Sequence, residues 1–216
     1  RDLLQAAART DKARLRSCGG PGAGTWLAAI PADGGLSFSD EEFAAAARFL
    51  LLFLYSLNEV IATLRAYAFS DHLTEISDII EEKEVEVAIP EILDKIGFRP
   101  TDYGQSFADF EEDYGDVIDR KTTVIILGDG RSNHNDPRVD LMRWMHDRAK
   151  SVIWLNPEPE TFWGTGDSEM LRYLPFCHVA KLCRTVQDLE RIIDERVPEG
   201  LIDLVVHDWG GMIGMA

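Results

Sequence analysis

Apolar and polar positions along the chain alternate in some stretches, recur at helical spacing in others, and in a few places form short unbroken apolar runs. The plainest run is Thr122-Thr123-Val124-Ile125-Ile126-Leu127, β-branched and apolar throughout. Such a run predicts a strand at the centre of a parallel sheet covered on both faces. Beyond it the pattern predicts a helix over 137–150, a strand over 151–155, a Pro- and Gly-rich loop, a strand over 178–182 and a helix over 186–194. Upstream, residues 64–70 alternate as a strand and 72–76 read as its hairpin partner. An amphipathic helix over 87–96 stops at Gly97, with Pro90 placed in its first turn, and residues 103–114 form an acidic helix. Ser39-Asp40-Glu41-Glu42 supplies an N-cap and first-turn carboxylates for a helix running to about Ala62. Its segment Phe49–Leu57 is apolar on most sides, as a helix buried against a sheet would be.

Strand and helix alternate, so the fold class is α/β with a doubly wound, mostly parallel sheet. Ligands of such a sheet sit outside the carboxyl ends of its strands. Residues 1–40 do not share the pattern: a helix-compatible segment over 2–16 is followed by Gly19-Gly20-Pro21-Gly22-Ala23-Gly24 and by Pro31-Ala32-Asp33-Gly34-Gly35. The glycine run lacks the Lys-Ser/Thr ending of a phosphate loop and reads as linker. The expected organisation is an appendage over 1–40, the α/β domain over 41–197 and a separate tail over 198–216.

Charge narrows the partners. Lys plus Arg total 22 against 38 Asp plus Glu, a formal charge of -16, so nucleic acid and anionic membrane are poor partners and basic proteins or cations better ones. Three cysteines, Cys18, Cys177 and Cys183, without CxxC spacing, read as reduced thiols. The start of the chain does not have the order of a signal peptide, and no apolar stretch is long enough to span a bilayer, so a cytoplasmic protein is expected.

Asp129 ends the central strand and is followed by Gly130, while Thr101-Asp102-Tyr103-Gly104 opens the preceding helix. Both segments can reach the crevice at the strand ends, and a threonine hydroxyl with carboxylates is the hard-oxygen chemistry that Mg²⁺ prefers. The competing reading is local: Thr101 caps its helix and Asp129 turns the chain after its strand.

Several blocks occur in order here: Ala47-Arg48-Phe49-Leu50-Leu51-Leu52-Phe53-Leu54-Tyr55-Ser56-Leu57, Ala68-Phe69-Ser70, Thr101-Asp102-Tyr103-Gly104, Gly128-Asp129-Gly130-Arg131-Ser132-Asn133, Trp154-Leu155-Asn156-Pro157 and Trp163-Gly164-Thr165-Gly166-Asp167-Ser168. Through them the chain resembles the CoxE-like branch of von Willebrand factor A domains. The resemblance implies a metal-ion-dependent adhesion site, with Thr101 and Asp129 as its metal residues and Mg²⁺ as its ion. The site's first loop, Asp-x-Ser-x-Ser in the family, falls on Phe38, Asp40 and Glu42 when counted back from Arg48, so the site is expected to be incomplete. Residues 31–37 make a poor first strand. Trp26 to Ile30 or a second chain is left to fill the place beside the Thr122–Leu127 strand.

The resemblance implies a non-enzymatic binding or scaffolding module that acts with MoxR-type AAA+ ATPases in metalloenzyme maturation. Its contact face would be the crevice around Thr101 and Asp129, with Asn133 and Asp136 at the rim, and self-association remains open. The tail, Leu201 to Val206 followed by His207-Asp208-Trp209-Gly210-Gly211, resembles the nucleophile elbow of α/β-hydrolases of the haloalkane dehalogenase branch, with Asp208 as nucleophile. A hydrolase fragment is therefore one alternative. A fusion of gene pieces without an intact site is the other.

Overall fold

A computed structural model of the chain describes strand 25–29, residues 65–96 and 99–184, and residues 188, 191 and 192 of the helix that follows. In the order of the chain the elements are β1 (Thr25–Ala29), β2 (Tyr67–Phe69), β3 (Leu73–Glu75), α1 (Ser77–Glu82), α2 (Val85–Ile96), α3 (Tyr103–Tyr114), β4 (Thr123–Leu127), α4 (Val139–Arg148), β5 (Ser151–Asn156), α5 (Met170–Tyr173) and β6 (Val179–Leu182). The strands form one sheet in the order β3-β2-β1-β4-β5-β6, parallel except for the antiparallel edge strand β3. This is the doubly wound α/β architecture expected from the alternation of elements.

The strand beside β4 comes from the amino-terminal segment. β1 pairs in parallel with β4, Thr25 opposite Val124 and Ala28 opposite Leu127, and on its other side with β2, Ala28 opposite Ala68. Residues 25–29, placed by the sequence pattern in an appendage over 1–40, are thus an interior strand of the sheet. Their apolar content is short and bracketed by glycine and proline, so local pattern leaves it in the appendage and offers it only as one candidate, beside a second chain, for the place next to β4. Pairing on both edges gives its amides the partners that sequence alone does not display.

The other elements lie close to expectation. The largest differences are α1, which the pattern did not separate, and the start of α2 at Val85, which puts Pro90 in the second turn rather than the first. The expected helix from Ser39 to Ala62, Cys18 and the tail over 198–216 lie outside the described residues. So does most of the helix expected over 186–194.

The core is built on β4 and β5, whose residues Val124, Ile125, Ile126, Val152 and Trp154 are almost wholly buried. Trp154 stacks on Tyr173 of α5, with ring centroids 5.1 Å apart, and on Tyr103 of α3 at 5.6 Å. Phe107 of α3 meets Trp154 and Tyr173 edge-on, and Phe69 of β2 meets Tyr103 in the same way. The helix α3 is therefore fixed across the sheet by aromatic rings, which contribute beyond their buried area through edge and offset geometry. Its first residue, Tyr103, is held where the strands end.

Among the described residues no helix is long and apolar enough to cross a membrane. Burial pushes the thiols of Cys177 and Cys183 up to about 12.

Candidate functional site

Strand order reverses between β1 and β4, and the crevice outside the carboxyl ends of these two strands is where a doubly wound sheet takes its ligand. Thr101 and Asp129 both lie at this end. Thr101 precedes α3, but it does not cap it. The N-cap is Asp102, whose Oδ1 accepts from the Gln105 amide at 2.9 Å. Thr101 is only 1% exposed, and its Oγ1 has no hydrogen-bond partner among the described residues. A buried hydroxyl left without a partner is costly, so helix capping does not explain this one.

Asp129 follows β4 by two residues. Its Oδ1 accepts from the Arg131 amide at 2.9 Å, closing a local turn, and from the Tyr103 hydroxyl at 3.5 Å. Its Oδ2 receives no hydrogen bond from any described residue. Its carbonyl accepts from Asn156 Nδ2 at 3.1 Å, which fixes the backbone. Burial, with Glu158 and Asp167 nearby, raises the Asp129 carboxyl from 3.8 to about 7 against the opposing effect of the Arg131 amide and guanidinium. Burial and the Asp129 charge hold the Tyr103 phenol protonated, so it is the donor to the carboxylate and the acceptor from the Gly130 amide at 3.2 Å.

Two residues tie the halves of the site together. Asn133, at φ 49°, donates its side-chain amide to the Thr101 carbonyl at 3.0 Å, while its own backbone amide donates to Asp167 Oδ2 at 3.2 Å. Arg131 donates to Glu158 through Nε and Nη2 and to Asp167 through Nη1. These bonds carry the loop over 157–169 back against the end of β4. Asp136, expected at the rim, is exposed, and its carboxylate accepts from the Arg138 amide. Its carbonyl packs against Gly104, where a Cβ would stand 1.8 Å from the oxygen. Glycine at 104 is what allows the rim loop to lie on α3.

The sequence reading singled out Thr101, Asp129, Asn133 and Asp136. The structure joins Thr101 to Asn133 directly and to Asp129 through Tyr103 and the rim loop. It adds Tyr103, Arg131, Glu158 and Asp167. The Arg131–Glu158 and Arg131–Asp167 pairs are 27 and 36 residues apart in sequence, so no local spacing signals them.

Thr101 and Asp129 fit a hard divalent cation in residue type, and the orphaned hydroxyl is the observation that supports the fit. Among the described residues, no group of three or more His, Cys, Asp or Glu side chains is arranged to hold a metal ion. Phe38, Asp40 and Glu42, where the first loop of the site was expected, lie outside the described residues. So does Asp208.

Residues 42–192 match the family model of the VWA domain containing CoxE-like protein, well over half of the chain, and the chain belongs to that family. It is thereby placed among protein-interaction or accessory modules of von Willebrand factor A type. The match begins after β1 and ends before the hydrolase-like tail, which it does not support. No curated protein matches the chain.

Proposed function

We propose that the chain is a partner-binding accessory module, without catalytic activity of its own, whose crevice takes a divalent cation through Thr101 and Asp129. The observation that carries this reading is the buried Thr101 Oγ1, without a partner among the described residues, at the same strand ends as the Asp129 carboxylate. A Mg²⁺ ion would accept both oxygens and leave positions for water or for a carboxylate of the partner. The ion supplies charge for that bridge. Arg131, Tyr103 and Asn133 hold the loops and the carboxylate in place. The family suggests a MoxR-type AAA+ ATPase as the partner, in a cytoplasmic setting.

Calorimetric titration with MnCl₂ or MgCl₂ tests the cation, and biolayer interferometry against a MoxR-type ATPase tests the partner. Saturable cation binding lost in Asp129→Ala supports the reading. Binding of the ATPase without any dependence on Mg²⁺ or on Asp129 would remove the cation from it.

A further inference from the structure

Most large apolar side chains of the described residues are buried, and four stand well exposed: Val87, Phe162, Leu171 and Leu174. Three of the four fall within 162–174, the stretch that borders the crevice. Leu171 is 58% exposed, Phe162 52% and Leu174 38%. Leu171 and Leu174 are three residues apart through α5 and the helical turn after it, so they share a face. Leu171 also packs directly on Gly164, two residues from Phe162: a Cβ at Gly164 would stand 2.5 Å from Leu171 Cδ1. The patch is anchored to the crevice, because the Glu169 amide donates to the Gly130 carbonyl at 2.8 Å and Met170 packs on Gly130.

The surroundings of this patch are net acidic. Residues 158–174 contain four carboxylates and a single arginine. Arg172 is paired with Glu169, and Arg131 is paired with Glu158 and Asp167. Glu160 makes no ion pair among the described residues. An apolar knob in net acidic surroundings, on a chain of formal charge -16, repels nucleic acid and anionic lipid and complements a basic segment with apolar side chains.

We propose that Phe162, Leu171 and Leu174 form a docking surface for a basic, apolar segment of a partner protein, seated beside the Asp129 crevice. The proposal rests on the partner-binding reading above and gives that partner its chemistry. Apolar contact on the knob supplies affinity, and the net acidic surroundings supply orientation and selection against acidic segments.

The test uses the full chain and a fluorescein-labelled peptide of leucine and lysine in helical amphipathic order, followed by anisotropy. Matched peptides of serine with lysine and of leucine with glutamate are the controls. The leucine–lysine peptide is expected to bind. The double variant Leu171→Ser/Leu174→Ser should weaken it about tenfold, the loss expected for two half-exposed leucines no longer covered. Val87→Ser should leave it unchanged, and unaltered thermal midpoints would show that the variants fold. Equal binding of the serine–lysine peptide, or an unweakened double variant, overturns the proposal. So does a parent chain that sediments as a dimer and becomes monomeric in the double variant, since a second copy would then occupy the patch. Mn²⁺ titration of the double variant separates this proposal from the cation reading: retained cation binding with lost peptide binding supports two distinct contacts. Failure of the peptide arm with cation binding intact overturns the docking surface alone.

Discussion

The guanidinium of Arg131 meets the carboxylate of Glu158 through two parallel hydrogen bonds, Nε to Oε1 at 3.0 Å and Nη2 to Oε2 at 2.9 Å. Its remaining nitrogen reaches Asp167 Oδ1 at 2.9 Å. One cation thus neutralises two carboxylates whose charges act on Asp129, and it ties the loop over 157–169 to the end of β4. Lysine cannot form the planar fork. Arg131→Lys should lower unfolding stability by about 1–3 kcal/mol, a range set by the partial burial of the pair. Urea unfolding of parent and variant measures it, and an unchanged midpoint would show that the loop is held by other contacts.

Asp129 makes stability depend on pH. Its folded value of about 7 lies above the ordinary 3.8, so the folded state holds the proton more tightly than the unfolded chain. The stability this group contributes is therefore complete below about pH 4 and is lost as pH rises through 7. Asp129→Asn removes the dependence. The variant should exceed the parent in stability by roughly 1–3 kcal/mol at pH 8 without added cation, with the advantage shrinking toward pH 5. A difference that stays constant across this range would rule the effect out.

Thr101→Val keeps the shape of the side chain and deletes the orphaned hydroxyl. Without cation, the variant should be as stable as the parent or more stable by up to about 1 kcal/mol, because a buried unsatisfied group is removed. With Mn²⁺ the order should reverse, since only the parent gains stability from bound ion. Thermal midpoints in both conditions read this out, and a destabilised variant without cation would mean that the hydroxyl does have a partner.

Gly104 has no room for a methyl group, because its Cβ would stand 1.8 Å from the Asp136 carbonyl oxygen. Gly104→Ala should cost on the order of 2 kcal/mol or more despite the better helix propensity of alanine. Chemical denaturation decides the sign, and a stabilised variant would contradict the close packing of the rim loop on α3.

The place of β1 can be tested by truncation. A fragment of residues 41–197, the domain suggested by pattern, lacks a strand paired on both sides and should not unfold cooperatively. Residues 20–197 should. Near-ultraviolet circular dichroism and thermal melts distinguish them, and a cooperative transition in the shorter fragment would show that the sheet closes without Thr25–Ala29.

Much of this protein can be read locally. The unbroken β-branched run before Asp129 specifies β4 because only a strand covered on both faces removes so many apolar side chains from water. Residues 103–114 specify α3 in full, since Asp102 caps it and its apolar residues recur at helical spacing. Thr101 and Asp129 were legible as a pair through the motifs around them. What sequence could not assign was which side of a local choice each residue takes. Thr101 next to a helix start is a natural cap, but Asp102 takes that role and the Thr101 hydroxyl has no partner among the described residues.

The sequence by itself determined the element types, the α/β class and the two oxygen-bearing positions at the strand ends, because these depend on periodicity and on residues adjacent in the chain. The tertiary structure decided that Thr25–Ala29 is an interior strand, that Arg131 joins Glu158 and Asp167, and that Phe162 and Leu171 stand exposed on a stretch tied to Gly130. Each of these depends on pairings between residues tens of positions apart. Backbone hydrogen bonding, charge pairing and solvent exposure at that distance are settled when the chain closes on itself, so no local pattern encodes them.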